Sequence, residues 1–495
     1  MKYDGLVIGG GLSGMTAAII LAQKGFNTAL VEKSPHMAPT IRGFRRQGLF
    51  FETGFHYTGG LNEGEPLDIF FHYLGLSAKI EKYPLNEQGF DIFRCLEPGF
   101  EFPFPCGYER IQERLSELFP KDRKAIKVYL QTVKNTYRSQ PYIDLDRDMN
   151  PIGLSMMHGA GLRDVLDRTM DDEMLKGILS MHCLLHGVSP EEVPFSNHAM
   201  VAGSYYESAN GIKGGGMSLT EAFTARLKEL GVDIYCGREV QKILLSADQA
   251  VSGVRFGDDE VLQCRYCIST VHPYHLLKIV PDSAFRPIYR KRLERLEDTC
   301  SAVIIYAKSH SPIKILAGAN LFLFPSSHFP DPEGSGPVER KPVFVAHSYQ
   351  EDGESQQEGI VIICPLFHTG THNWKALFPT EDSSVYQSFK SQTSRRIIRH
   401  LESSCPEFQD RIIEVDCATP LTLKRFTNSP FGSLYGVKHK IEQVNPMPVT
   451  KVKGLLLAGQ SITAPGVLGA MVSSFLACGN IIGHEKLRKE LRAWT

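Results

Sequence analysis

The chain has 495 residues, with 54 Lys+Arg against 55 Asp+Glu for a formal net charge of −1; 42 % of residues are hydrophobic and 22 % charged. This composition excludes an intrinsically disordered chain, and the balanced charge removes a nucleic-acid binder that works through a whole-protein basic field. The length suits about three domain-sized units and a core that needs no staple. Eleven cysteines, an odd number scattered along the chain, do not form a disulfide framework and fit a reducing compartment. The close pair Cys264 and Cys267 has no second pair at similar spacing, so no metal site is expected there.

The N-terminus has the outline of a signal peptide, Lys2 and then an apolar stretch, but Asp4 and the glycines at 5, 9, 10, 11 and 14 contradict it. A strand over Tyr3–Ile8, a helix over Leu12–Lys24 and a strand over Thr28–Val31 explain it better. Leu12, Met15, Ile19 and Ala22 fall on one face of that helix. Further helices are expected near Leu67–Leu76 and over Tyr108–Phe119, Asp122–Ser139, Leu162–Met170, Glu173–Leu185 and Met217–Leu230. Strands follow at Asp233–Cys236, Val240–Ser246, Ala250–Phe256, Val261–Cys264 and Arg265–Thr270, and later at Ala302–Lys308, Leu321–Phe324, Pro342–His347 and Val361–Pro365. Asp331–Arg340 and Gln350–Gly359 read as surface loops, and Val385–Glu402 as an amphipathic helix.

Gly454 to Gly483 carries no charged residue, which suits a membrane span, but Gln460, Ser461, Thr463 and Pro465 interrupt it. A buried strand over Gly454–Ala458, a turn and a buried helix over Gly466–Gly483 are expected instead. No transmembrane segment follows from this reading, and a cytoplasmic location is the default. The apolar run Pro151–Leu162 reads equally as a peripheral membrane contact, a buried helix start or a lid. No internal repeat is visible.

Gly9-Gly10-Gly11-Leu12-Ser13-Gly14 fits G-x-G-x-x-G, with a strand before it, a helix opening from it and a second strand ending in Val31-Glu32. Gly9 permits the tight turn, Gly11 lets backbone N–H groups approach a diphosphate, and Gly14 lets helix and strand pack closely. The helix start adds unpaired N–H donors. Glu32 stands where an acid accepts ribose hydroxyls, which argues against a 2′-phosphate.

These features do not separate FAD from NAD. Other segments do so by resemblance: Phe51-Glu52-Thr53-Gly54-Phe55-His56-Tyr57-Thr58-Gly59, the block Gly214-Gly215-Gly216-Met217, the strand at Val240, and Gly459-Gln460 with Gly469-Ala470. In this order they resemble the FAD-dependent phytoene desaturase, carotenoid isomerase and retinol saturase family, closest to the retinol saturase-like branch. The likeness is weakest over about 286–410.

The resemblance implies an α/β fold: an FAD-binding, Rossmann-type (glutathione-reductase-like) domain with an inserted α+β substrate domain. Residues 1–75, 200–285 and 445–495 would form the FAD domain, and 76–199 with 286–444 the substrate domain. It implies FAD as cofactor, with Val240 at the adenine and Gly459, Gln460, Gly469 and Ala470 at the flavin end, beside a helix opening near Val467. Lys33, Arg42 and Gly43 would also bind the cofactor, Arg42 and Gly43 from the loop that covers the diphosphate. Two departures stand out: only Arg42 and Gly43 remain of a Gly-Gly-Arg turn, and Glu52 replaces a frequent Asp.

The same resemblance implies an oxidoreductase acting on carbon–carbon double bonds of a hydrophobic polyene or isoprenoid, by saturation, desaturation or cis–trans isomerisation. The electron partner is not written as a motif. A flavin amine oxidase, whose motif commonly has Gly-Glu at Gly459-Gln460, and a non-catalytic prenyl-lipid escort protein of related fold are the alternatives. Phe55, His56, Tyr57, Phe70, Phe71, Tyr73, Phe100, Phe102 and Phe104 are the aromatic candidates for a dry pocket. His56 and then Tyr57 are the candidate catalytic residues, His56 as donor of a proton to carbon or to a substrate oxygen. His182, His186 and His198 have no carboxylates at metal-ligand spacing, and no metal is expected. No Gly-x-Ser-x-Gly supports hydrolase chemistry.

Overall fold

Two separate sheets organise the chain in the computed structural model, which describes residues 2–147, 159–329, 336–348, 358–366 and 383–495. The first sheet runs in the order Val240–Leu245, Val251–Phe256, Val261–Ser269, Lys2–Ile8, Thr28–Glu32, Asp233–Cys236, with Leu455–Leu457 joined to the end of Val261–Ser269. Lys2–Ile8 pairs in parallel with both neighbours, and its second half is buried along with Thr28–Val31. Strands buried on both faces read as continuous apolar runs, which is why they were visible in the sequence.

The second sheet has the order Ile412–Ala418, Ser301–Ser309, Glu358–Leu366, Val343–Ser348, Asn320–Ser326, Asp91–Glu97, Phe100–Phe104. It is antiparallel except where Asn320–Ser326 meets Asp91–Glu97. A helical layer that includes Arg123–Arg138 and Phe195–Glu207 packs beside it.

The two ends of the chain meet. Leu455–Leu457 pairs in parallel with Cys267–Ser269. Helix Gly466–Ile482 lies along helix Leu12–Gln23, where Ser474 Oγ donates to the Ser13 carbonyl (2.7 Å) and Ser13 Oγ to the Ala470 carbonyl (2.9 Å). Met15, Ile19, Met471 and Phe475 are fully buried in the same core. Among the described residues no helix is long and apolar enough to cross a membrane.

Several elements differ from the sequence reading. Val261–Cys264 and Arg265–Thr270 are one strand, Val261–Ser269, because no turn residue separates them. Glu173–Leu185 is a helix only to Ser180 and tightens to a 3₁₀ turn over Met181–Leu185. Helix Phe195–Glu207, buried on almost every side, has no polar face to reveal it. The expected divide at 199/200 cuts this helix, where a boundary belongs in a linker. The hairpin Asp91–Glu97 and Phe100–Phe104 and the strand Ile412–Ala418 were also missed. The membrane-contact expectation at 151–158 and most of the two surface loops (331–335 and 350–357) lie outside the described residues.

Candidate functional site

A cavity of about 1630 Å³ lies between the two sheets, lined by residues from both ends of the chain. The glycine turn forms one wall. Gly9 has φ +105°, and a Cβ there would meet Thr270 Oγ1 at 2.3 Å. A Cβ on Gly14 would strike the Gly9 carbonyl at 1.8 Å, so this glycine serves helix–strand contact. At Gly11 an added Cβ meets nothing within 4 Å: it would enter the cavity.

Glu32 closes the turn from the second strand. Its Oε2 accepts the Gly10 N–H (2.5 Å) and its Oε1 the Ser34 N–H (2.7 Å). Burial raises its pKa, and these backbone donors pull it back.

Of the sequence-derived cofactor residues, Gly9, Gly11, Leu12, Ser13, Glu32, Lys33, Arg42, Gly43, Val240, Gly459, Gln460 and Ala470 line this one cavity. Gly10, Gly14 and Gly469 stand behind it. Gly10 packs on Glu32 and Met37, and Gly469 on the Ala464 carbonyl. Helix Leu12–Gln23 and helix Gly466–Ile482 both start at the cavity, through Gly11–Ser13 and Gly466–Val467. Two helix N-termini at one cavity favour negative charge there. Arg42 reaches the Met217 sulfur (3.9 Å) and has no carboxylate partner among the described residues.

The glycine block at 214–216 has a further use. Gly214 and Gly215 have φ +74° and +57°, and a Cβ on Gly215 would lie 2.2 Å from Glu52 Oε1. A Cβ on Gly216 would strike the Ile41 carbonyl at 1.7 Å. The block therefore seats the 41–52 segment on the start of helix Gly215–Glu229.

The histidines at the cavity differ in what holds them. His272 is saturated: Nε2 meets Asp298 Oδ1 at 2.9 Å, and Nδ1 accepts the Tyr274 N–H at 3.2 Å. His275 Nε2 is bound to the Asn428 carbonyl at 2.7 Å. His56 has both ring nitrogens buried and without a hydrogen-bond partner, with Nδ1 at 3.4 Å from Glu52 Oε2. A buried, unsatisfied imidazole beside a cavity is free to bond whatever fills it.

Tyr57 lines the cavity, but its hydroxyl is committed. It donates to Asp91 Oδ2 (2.7 Å), which also meets His182 Nε2 (2.9 Å), while Asn320 Nδ2 donates to Asp91 Oδ1 (2.9 Å). Burial, and then Asp91, push the Tyr57 pKa well above the ordinary tyrosine value. The hydroxyl expected to do chemistry is thus an anchor.

Phe70, Phe71 and Tyr73 sit in the core of the first unit, and Phe102 and Phe104 in the core beside the second sheet. Phe100 packs on Phe119. None of these six lines the cavity; of the aromatic candidates only Phe55, His56 and Tyr57 do. Sequence reasoning missed Tyr205, Tyr306, Phe344 and Tyr435, which complete the wall. A lone acid inside the apolar run Phe90-Asp91-Ile92-Phe93 was the available signal for the Asp91 network.

His186 and His198, set aside for want of carboxylates, come together with Cys183. His186 Nε2 and His198 Nδ1 are 3.2 Å apart and Cys183 Sγ is 3.7 Å from the latter. Burial pushes His186 down to about 3 and holds His198 well below the usual histidine value. The outer nitrogens, His186 Nδ1 and His198 Nε2, have no hydrogen-bond partner, whereas histidines that ligate metals almost always donate from that side.

Residues 12–482 match the family described as flavin containing amine oxidoreductase. The chain belongs to that family. It is 24 % identical to all-trans-retinol 13,14-reductase of Danio rerio, over 98 % of this chain and 87 % of that protein. It is 22 % identical to prolycopene isomerase 2, chloroplastic, of an Oncidium hybrid cultivar, over 98 % and 85 %. Among solved structures, an oxidoreductase from Methanosarcina mazei superposes with a TM-score of 0.70 at 16 % identity, covering 96 % of this chain and 99 % of the other. A redesigned putrescine oxidase superposes with a TM-score of 0.65 at 12 % identity, covering both chains fully (100 %).

The fold is therefore the expected α/β flavoprotein fold, and the protein is a flavin-dependent oxidoreductase. The cofactor is FAD, and the residues present fit it. Open space faces Gly11, two helix starts suit a diphosphate and a flavin that gains negative charge, and Arg42 has no protein anion among the described residues.

Proposed function

We propose that this flavoprotein acts on carbon–carbon double bonds of an isoprenoid or polyene lipid, with saturation favoured over desaturation or cis–trans isomerisation. The carrying observation is the state of the cavity's polar groups. Its carboxylates are engaged: Glu32 by backbone N–H groups, Glu239 by Lys33 (2.8 Å), and Asp416 by Arg46 (2.7 Å) and Lys390 (3.4 Å). Three tyrosine hydroxyls of the wall are tied inward too, Tyr435 to the Leu184 carbonyl (3.0 Å), Tyr205 to the Tyr57 carbonyl (3.5 Å) and Tyr57 to Asp91. With Phe344 and Ile363 these rings leave a largely apolar wall. An ammonium substrate would find no unengaged carboxylate among the three that line the cavity; an extended hydrocarbon needs none. The names of the relatives, a retinol reductase and a prolycopene isomerase, point the same way.

In this reading FAD lies from Val240 at the adenine, past Glu32, Gly11, Ser13 and Arg42, to Gly459, Gln460 and Ala470 at the ring. Segments 1–75, 200–285 and 445–495 hold it, and 76–199 with 286–444 hold the lipid, with helix Phe195–Glu207 shared across the divide at 199/200. FAD supplies hydride or electron transfer when bound. The chain supplies a dry wall, orientation and, at His56, a proton for the second carbon. Tyr57 belongs to the wall, not to the chemistry. The lipid comes from a membrane surface touched peripherally, for which Phe426 is suited: it is 60 % exposed, borders the cavity and follows exposed Lys424 and Arg425.

The test is anaerobic mixing of the FAD-loaded protein, reduced or oxidised, with all-trans-retinol, prolycopene and putrescine, with products identified by mass. A polyene altered in mass or geometry, and a flavin that putrescine does not bleach, is the expected outcome. Bleaching by putrescine with every polyene returned unchanged overturns the proposal in favour of amine oxidation.

A further inference from the structure

We propose that Glu52 is the positioning residue for His56: it fixes the imidazole orientation through Nδ1 and restores the proton that Nε2 gives up. This rests on the reading of His56 as proton donor and deepens it.

Glu52 is a carboxyl group 2 % exposed with no Lys or Arg beside it, and His56 is the one titratable side chain that acts on it. Its Oε2 has no hydrogen-bond partner, and it faces His56 Nδ1 at 3.4 Å, a few tenths of an ångström from a hydrogen bond. The pair is held in place from the second sheet. The Glu52 N–H donates to Ser348 Oγ (3.1 Å), and Phe344, on the same strand, packs on the His56 ring with centroids 5.7 Å apart. On the other side Oε1 occupies the space that glycine leaves open at position 215, where helix Gly215–Glu229 starts.

These contacts give the pair a direction. A neutral imidazole has one N–H and one acceptor nitrogen. With a proton on Glu52, Nδ1 is the acceptor and Nε2 carries the N–H. In saturation of a double bond, one carbon takes a hydride from reduced FAD. The other takes the proton from His56 Nε2, and the C–C π pair becomes the new C–H bond. The Glu52 proton passes to Nδ1, so the ring ends neutral with its N–H on Nδ1. The remaining carboxylate faces a helix start, where negative charge is favoured. A later proton from water returns the pair to its first state. A histidine oriented by a third group is a recurring device of acid–base sites.

The arrangement is unlike a structural buried carboxylate, which has its lone pairs filled. Nothing else in the described structure takes Oε2, and nothing else takes either nitrogen of His56.

The experiment uses the full chain with bound FAD, labelled with ¹⁵N in histidine, with the His56 signals assigned by loss in His56→Gln. In Glu52→Gln the His56 ring-nitrogen shifts should move, and in Glu52→Asp they should return toward those of the unaltered protein. Anaerobic single turnover with all-trans-retinol then gives the kinetic arm. Glu52→Gln should slow flavin reoxidation at least about 10-fold with FAD content unchanged, and Glu52→Asp should recover most of the rate. His56 signals that are the same in Glu52→Gln as in the unaltered protein overturn the proposal, and a rate unchanged in Glu52→Gln does so too. A rate unchanged in His56→Gln would instead overturn the proton-donor reading; the shift measurement on Glu52 is separate from it.

Discussion

Two of the histidine–carboxylate pairs among the described residues are built to opposite ends. Asp91 and His182 are both 0 % exposed, 2.9 Å apart, with Tyr57 and Asn320 filling the other sites of the carboxylate. Glu52 and His56 lie 3.4 Å apart at the cavity, with Oε2 and both ring nitrogens unfilled. His182 Nδ1 has no hydrogen-bond partner either, so the contrast lies in the carboxylates: one with both oxygens filled rigidifies, and one with an open oxygen keeps bonding capacity for a ligand at a cost in stability. The first pair braces the cavity wall through Tyr57, and the second stands ready to act in the space that Tyr57 helps to enclose.

The comparison can be broken most directly at Asp91. Asp91→Ala leaves His182 and Tyr57 buried without their partner and should cost about 3–5 kcal/mol, read as a lower urea midpoint. His56→Ala should leave the urea midpoint nearly unchanged and retain FAD, yet slow single turnover about 10²-fold or more. If both substitutions reduce stability alike, the two pairs are not different in kind. Gly11→Val separates the cofactor from both pairs. Its side chain enters the open cavity, so purified protein should be colourless while the apo-protein melts at its usual temperature.

The smallest effect is a dependence on pH. Burial raises the Glu52 pKa, with His56 pulling the other way, so the folded state holds this proton more tightly than the unfolded chain does. The resulting stability is fully present below the ordinary value of 4.5 and is lost as pH rises through the raised folded value. Glu52→Gln removes that loss, so its urea midpoint should gain on the unaltered protein as pH is raised from about 4 to 8.

What was legible in the sequence follows from how local each feature is. The unit from Gly9 to Glu32 could be read because turn, helix and strand are neighbours in the chain and each glycine answers a local steric demand. The buried helix at Gly466–Ile482 was visible as a stretch without charge. The Asp91 network was hidden because Tyr57, Asp91, His182 and Asn320 come from four separate segments, and a buried polar contact has no periodicity. The same holds for Cys183, His186 and His198. The aromatic candidates were misassigned for a related reason: Phe100, Phe102 and Phe104 alternate on a strand, and the sequence does not say which face meets the cavity and which the core. Glu52 and His56 are close in sequence, yet a carboxylate four residues from a histidine suggests pairing only on a helix, and this segment is not one.

The insertion of Leu455–Leu457 beside Val261–Ser269, and of the following helix against Leu12–Gln23, sets a condition on biosynthesis. A nascent chain exposes the glycine turn early, but the opposite wall of the coenzyme nest follows only about 440 residues later. A flavin held from both sides has to wait until the segment 455–482 has been made, and a chain released before that lacks this wall.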